Sequence, residues 1–323
     1  MSKSGPKRGV AKIVVGLITL ACLSGIGLSF AWKSEGQPSS GLAACQIGSI
    51  QDRAIAESSG IIASRKHPGV FWTHNDQGND PILFAINRDG QLISQFRIDA
   101  KNDDWEDIAI DDAGNLYIGN IGNNGGKRDA IEVLRIGEPD PYNPASSTQP
   151  LKVAQAWHLA FPDEPFNCES LFIHQGKGYL ISKATRRQAA GLYSFPLDTQ
   201  PETIVLQEVA TLPIHSPVTA ADISADGQFL AVVNFQSLDV FRIDNQPARA
   251  AQTPIMRLPF DRQHNIEACC FVPGGILATV ETREIYFFSD SLLAAQEAPP
   301  ADSSASDRPR KAREVSSRRK KRD

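Results

Sequence analysis

The chain has 323 residues, 41% of them hydrophobic, which suffices for a packed core in an all-β body of about 250 residues. Its formal charge of −4 hides a split. The first 12 residues carry four Lys/Arg and no acid, residues 301–323 carry nine Lys/Arg against four Asp/Glu, and the stretch between them holds 20 Lys/Arg against 33 Asp/Glu. So acidic a body excludes a nucleic-acid surface, which needs basic residues on phosphates, and favours cations or basic partners.

The chain opens with Lys3, Lys7, Arg8 and Lys12, followed by the uncharged run from Ile13 to Trp32. Twenty apolar residues are enough to cross about 30 Å of hydrocarbon. Ser29-Phe30-Ala31 is a small-x-small cleavage site. Residues 1–32 therefore read as a signal peptide or a transmembrane anchor. Either one leaves the body extracytoplasmic, membrane-anchored or secreted, because the basic flank stays inside. Residues 33–44 are rich in Ser, Gly and Pro and read as a linker.

From 45 to 295 short strands alternate with turns. Phe71-Trp72-Thr73-His74 ends at Asn75-Asp76-Gln77-Gly78, and Asn87-Arg88-Asp89-Gly90 separates Ile82–Ile86 from Gln91–Phe96. Asn-x-Asp-Gly between two apolar runs predicts a hairpin. The same device recurs at Asp111–Asn115, His174–Gly178, Ser224–Gly227 and Val272–Gly275. Third strands follow at Gly191–Phe195, Leu238–Ile243 and Glu284–Phe288.

Through this pattern runs a recurring phrase, a carboxylate and then a β-rich apolar run. It starts at Glu57, Glu106, Glu169 and Glu267, with a weaker copy at Asp222, at spacings of 49, 63, 53 and 45 residues. A period near 50 with strand signals and no helical stretch predicts a single β-propeller of four-stranded blades. Five blades fit the count. Six would require one hidden in the interval from 106 to 169, where the Pro-rich stretch from Glu138 to Pro144 reads instead as an insertion. Residues 296–323 are rich in Ala, Pro and Ser and end in Arg318-Arg319-Lys320-Lys321-Arg322, which predicts a disordered basic tail suited to anionic envelope polymer or lipid headgroups.

If each copy opens the innermost strand of a blade, Glu57, Glu106, Glu169 and Glu267 converge on the channel mouth. Clustered carboxylates repel one another unless something offsets the charge. One reading is a hard cation, Ca²⁺ foremost, since the chain offers oxygen donors and no His or Cys cluster. The other is that each Glu accepts backbone N–H groups of the next blade and locks the ring. Candidate ligand-binding residues at strand ends are His74, Asn75, Asp76, Trp105, Asn120 and Asn123, with Arg128 and Lys183 as anion contacts. Asn and Asp clusters are equally required by turns. Of the cysteines past the apolar run, Cys45, Cys168, Cys269 and Cys270, the last two are neighbours that point to opposite strand faces and do not bridge. The sequence contains no nucleophile elbow, phosphate loop, dinucleotide fingerprint or zinc spacing.

Taken together, Glu57-Ser58-Ser59-Gly60, His74-Asn75-Asp76, Asp104-Trp105-Glu106-Asp107, Gly119-Asn120-Ile121-Gly122-Asn123-Asn124 and Cys168-Glu169-Ser170 resemble the motifs of the exported SdiA-regulated propeller group. The resemblance runs from about residue 54 to 290. It implies an extracytoplasmic propeller, tied in some relatives to calcium responses, with no settled reaction. Relatives carry acids where this chain has Asn120 and Asn123. A more distant likeness is to esterase-like phytase and lactonase propellers, whose metal sits at the channel mouth. The expectation is thus an envelope-associated or secreted binding or scaffold propeller that responds to calcium. The alternative is a Ca²⁺-dependent phosphoesterase or lactonase-like hydrolase.

Overall fold

The computed structural model describes residues 42–143, 149–198, 203–260 and 265–295. The apolar run 13–32 and the basic tail 296–323 lie outside the described residues, as does most of the linker.

The described strands fall into five sheets. After β1 (Gln46–Ser49), blade 1 is β2 (Ser58–Ala63), β3 (Val70–Asn75), β4 (Ile82–Asn87) and β5 (Leu92–Arg97). Blade 2 is β6 (Trp105–Ile110), β7 (Asn115–Asn120), β8 (Ala130–Gly137) and β9 (Gln155–Ala160). Blade 3 is β10 (Cys168–His174), β11 (Lys177–Ser182), β12 (Gly191–Pro196) and β14 (Gln207–Thr211). The short β13 (Ile204–Val205) reaches back to extend blade 2 by a parallel pairing with β9. Blade 4 is β15 (Val218–Ile223), β16 (Phe229–Asn234), β17 (Ser237–Arg242) and β18 (Met256–Pro259). Blade 5 is β19 (Ile266–Val272), β20 (Gly275–Val280) and β21 (Glu284–Ser289), and its outer strand is β1 from the start of the body.

The protein is therefore an all-β, five-bladed propeller, closed by pairing its first strand with its last (Ser49 opposite Glu284). The six-blade alternative falls, because β7, β8 and β9 of a single blade fill the interval from 106 to 169, and the Pro-rich stretch is the connection between β8 and β9. The end of the predicted linker is docked, with Leu42 buried in the same apolar cluster as Tyr286 and Phe288.

The innermost strands β2, β6, β10, β15 and β19 each pack on the next, and β19 packs on β2. Strands covered on both faces need apolar or small residues throughout. Ser58-Ser59-Gly60-Ile61-Ile62, Ala220-Ala221 and Ala268-Cys269-Cys270 meet that need, and all are buried. The outer strands β5, β14 and β18 alternate with exposed positions. The predicted hairpin at Asn87–Gly90 forms, with the Asn87 side chain accepting the N–H groups of Asp89 and Gln91. Gly90 (φ +84°) lies where a Cβ would meet the Ser49 carbonyl at 2.2 Å, so only glycine lets the closing strand pass. The four described cysteines are buried thiols with no disulfide among them. Cys269 and Cys270 face different core clusters, as their adjacency in a strand requires.

Blade-to-blade contacts near the axis are polar. Ser59 Oγ donates to the Glu106 carbonyl (2.9 Å), and Thr219 Oγ1 donates to the Ile266 carbonyl (2.7 Å). Leu171 N–H donates to Asp107 Oδ2 (2.8 Å), and Phe271 N–H to Asp222 Oδ2 (2.7 Å). Ser58 Oγ lies 3.1 Å from Thr279 Oγ1 across the closing joint. The locking role that the sequence left open for the glutamates thus belongs to two aspartates and to the hydroxyls of Ser58, Ser59, Thr219 and Thr279. Among the described residues no backbone N–H of a neighbouring blade reaches the carboxylates of Glu57, Glu106, Glu169 or Glu267. Burial raises the Asp107 carboxyl well above the usual range and pushes Asp222 up to about 7, while the N–H groups they accept pull the other way.

Replacing Asp107 with Leu strands the Leu171 N–H in the core, and an unsatisfied buried donor costs about 1–3 kcal/mol before any packing mismatch. Urea unfolding should show Asp107→Leu destabilised by at least that amount and Asp107→Asn, which keeps an acceptor, by less. Equal losses would remove the hydrogen bond as the cause.

Candidate functional site

Each innermost strand carries one extra residue near its start. The register breaks between Ser58 and Gly60, Trp105 and Asp107, Cys168 and Leu171, Val218 and Ala220, and Ile266 and Ala268. A β-bulge turns its extra side chain out of the regular alternation. The equivalent bulge positions are therefore Ser59, Glu106, Glu169, Thr219 and Glu267. This corrects the sequence alignment in two places. Ser59 holds the ring position in blade 1, with Glu57 just before the strand. In blade 4 it is Thr219 that holds it, with Asp222 three residues further along.

Glu106, Glu169 and Glu267 line a cavity of about 190 Å³ at this mouth, together with Glu57, Ser59, Asp76, Lys183, Phe235 and Glu281. At its side the carboxylate oxygens of Asp76, Asp104 and Glu106 lie within 4.8 Å of one another. Asp104 and Glu106 are 7% and 5% exposed. Asp104 Oδ1 is buried with no hydrogen-bond partner. Among the described residues none donates to the Glu106 carboxylate. Gly122, in the loop after β7, makes room for the pair, since a Cβ there would meet Asp104 Cγ at 2.2 Å and Glu106 Oε1 at 2.3 Å.

The loop that shapes this cluster is held by residues outside it. Asp104 N–H donates to Asn120 Oδ1 (2.9 Å). The Arg128 guanidinium donates to the carbonyls of Gly122 (2.8 Å) and Asn120 (3.0 Å). Asn123 Oδ1 accepts the N–H groups of Lys127 and Arg128. Asn167 donates to Glu169 Oε1 (3.0 Å) while accepting Asn123 N–H (2.6 Å), and Lys183 Nζ pairs with the same Glu169 oxygen. Asp76 accepts Gln77 N–H, and Glu57 accepts from Asn79 (3.1 Å).

Burial, reinforced by the charges of Glu169, Asp76 and Asp104, pushes Glu106 up to about 10. Burial and the Asp76 charge push Asp104 up to about 6, against the pull of Arg128. Burial and the charges of Glu169 and Glu281 push Glu267 up to about 8. Asp76 and Glu169 are also raised by burial, with Lys183 opposing. Among the described residues the mouth thus gathers more carboxyl groups than donors, and burial and mutual repulsion hold protons on them where no counter-charge is present.

The structure divides the sequence candidates. Asp76, Lys183 and the four glutamates reach the cavity. His74 does not. It is fully buried, its ring edge-on to Trp105 at 5.5 Å, and burial lowers it to about 4. Trp105 is likewise core, its indole N–H bound to the Lys101 carbonyl. Asn75 ties the segment before β2 by accepting Glu57 N–H and donating to the Ala54 carbonyl. Asn120, Asn123 and Arg128 position the loop, so the ligand-contact role expected of them is replaced by a bracing one. Asp104 and Asn124, which the sequence offers only within the phrases Asp104–Asp107 and Asn120–Asn124, join the cluster and the cavity wall, and sequence reasoning missed Asn265, Phe235 and Glu281.

No protein-family model matches this sequence, and no curated relative matches it. Several solved structures are similar in fold. A virginiamycin B lyase from Staphylococcus aureus shares 12% identity over 72% of this chain and 66% of that one, just under two thirds of its length, at a TM-score of 0.38. A gluconolactonase from Xanthomonas campestris shares 10% over 72% and 73% at 0.40, and a nidogen/laminin complex shares 14% over 75% and 78% at 0.43. At these values no residue role transfers from those proteins to this chain.

A carboxyl whose folded-state value is raised holds its proton in the native state after the unfolded chain has released it. Its contribution is present below the unfolded value and lost as pH rises towards the folded one. For Asp104, Glu267 and Glu106 that window runs from about 4 to about 6, 8 and 10 respectively. In chelator the urea midpoint should fall steadily from pH 5 to 8. Glu106→Gln should flatten that fall and be more stable than wild type at pH 8. A midpoint independent of pH over this range would show that these groups titrate normally.

Proposed function

We propose that the channel mouth binds a hard divalent cation, Ca²⁺ foremost, through Asp76, Asp104 and Glu106, with Glu169 beside them, and that the protein is a calcium-responsive binding module. The carrying observation is the pair Asp104 and Glu106, two buried carboxylates with oxygens within 4.8 Å of each other and, among the described residues, no donor on Asp104 Oδ1 or on Glu106. An all-oxygen donor set suits Ca²⁺ and disfavours zinc or copper. The glycine at 122 lets the two carboxylates lie close together. The likeness of the Glu57, Asp104–Asp107 and Cys168–Ser170 phrases to SdiA-regulated propellers agrees with a calcium response. The basic-flanked apolar run 13–32 supports an extracytoplasmic, membrane-tethered or secreted setting, and the basic tail supports contact with anionic envelope polymer or lipid.

A second reading is a metal-dependent hydrolase of phosphoesters or lactones. It is favoured by the Lys183–Glu169 pair, which stands in the same cavity as the carboxylate cluster and offers a charged group to a substrate. A divalent cation there would supply Lewis acidity.

Calcium at a hundredfold excess over its Kd adds about 2.7 kcal/mol to stability, which for a body of this size raises the melting temperature by about 5–10 °C. Glu106→Gln and Asp104→Asn should each abolish that rise, and calcium affinity should weaken at low pH, where the ligands hold protons. No shift at millimolar calcium would end the cation reading. Across a phosphoester and lactone panel, turnover lost in both Glu106→Gln and Glu169→Gln with folding retained would favour the hydrolase. No turnover by wild type would favour the binding module.

A further inference from the structure

Among the described residues, six carboxylates line the mouth cavity against one ammonium, that of Lys183. The cation reading uses Asp76, Asp104 and Glu106 and leaves Glu267 and Glu281 of blade 5 unassigned. Beside them stands an aromatic ring that a metal ion has no use for. Phe235, 40% exposed, sits on the tight turn between β16 and β17. The turn is fixed, since Phe235 N–H donates to the Pro217 carbonyl (3.0 Å) and Gln236 N–H to Asn234 Oδ1 (3.0 Å). An exposed ring held rigidly at the rim of an acidic cavity is the arrangement that attracts organic cations. The protein already contains one such pairing, because Lys183 Nζ lies 5.5 Å from the Phe235 ring centre while paired with Glu169.

Size narrows the class. A cavity of about 190 Å³ holds roughly six waters at about 30 Å³ each, well below the about 300–1,000 Å³ of sites for drug-sized ligands. It admits a short aliphatic chain and excludes a sugar polymer or nucleotide. The carboxyl of Glu106 on the same wall, buried and without a hydrogen-bond donor among the described residues, is an unpartnered polar group independent of the exposed acids.

We propose that this cavity binds an aliphatic ammonium, its charge against Glu267 and Glu281 and its methylene stem on Phe235. The inference needs the cavity and not the metal.

The test is calorimetric titration of the full chain with cadaverine, with N-acetyl-lysine methylamide, and with pentan-1-ol as the neutral control, in saturating calcium and in chelator. Saturable binding of either amine and none of the alcohol is expected. Glu267→Gln should weaken amine binding about tenfold, as loss of a partly buried charge partner does. Phe235→Ala should weaken it about threefold, the loss of the apolar surface that covers one buried methylene. Melting curves check that both variants fold. A preference for cadaverine assigns the site to free diamines, and a preference for the lysine derivative to a side chain. Absence of saturable amine binding, or equal binding by wild type and both variants, overturns the inference. If calcium still raises the melting temperature while no amine binds, this inference alone fails. If amines bind without a calcium response, the cation reading alone fails.

Discussion

Carboxylates taken out of water must find hydrogen-bond donors or a counter-charge, and the inner strands of this propeller divide theirs between the two solutions. Asp107 and Asp222 turn into the ring and take backbone N–H groups from the next blade, which closes the polar seams that a circle of packed sheets leaves open. Glu106, one residue before Asp107, turns the other way and finds no donor among the described residues. Adjacent residues in one strand, of the same chemistry, thus have opposite duties, as the alternation of side chains along a strand allows, and Glu106 is the extra residue of the bulge in β6.

The bulge recurs in all five innermost strands, but its occupant does not. Ser59 and Thr219 use their hydroxyls as blade locks, while Glu106, Glu169 and Glu267 face the mouth cavity. The ring is therefore unevenly charged, and its negative side is gathered around blades 2, 3 and 5. The donors that could quench it are directed to other work. Arg128 is tied to two backbone carbonyls, and Lys183 is committed to Glu169. The proposed affinity of the mouth for positive charge rests on this uneven design rather than on acidity in general.

The supporting loop shows how a site of this kind is kept in shape. Asn120, Asn123, Asn167 and Arg128 touch backbone or the flank of a carboxylate and fix the loop whose glycine leaves room for Asp104 and Glu106. Precise placement of charged groups depends on neighbours that carry no charge into the site themselves. The Asn residues at 120 and 123 fit that role, since an amide can donate and accept where a further acid would only add repulsion.

What the sequence by itself determined was the architecture. A carboxylate phrase repeating at about 50 residues, Asn-x-Asp-Gly hairpins and third-strand apolar runs are local signals, and local signals survive in a linear string. They specified strands, turns, a propeller and the approximate mouth. Tertiary structure decided what depended on register and closure. The alignment of Glu57 and Asp222 with the other glutamates failed because a bulge is a relation between two strands, invisible in either alone. His74 and Trp105 look like site residues beside acids, yet strand pairing sends both into the core. Phe235 and Glu281 reach the cavity only because β16 and β20 end, and β17 begins, where the innermost strands begin. The pairing of β1 with β21, which turns five sheets into a ring, joins residues more than 230 apart in sequence and so left no local trace.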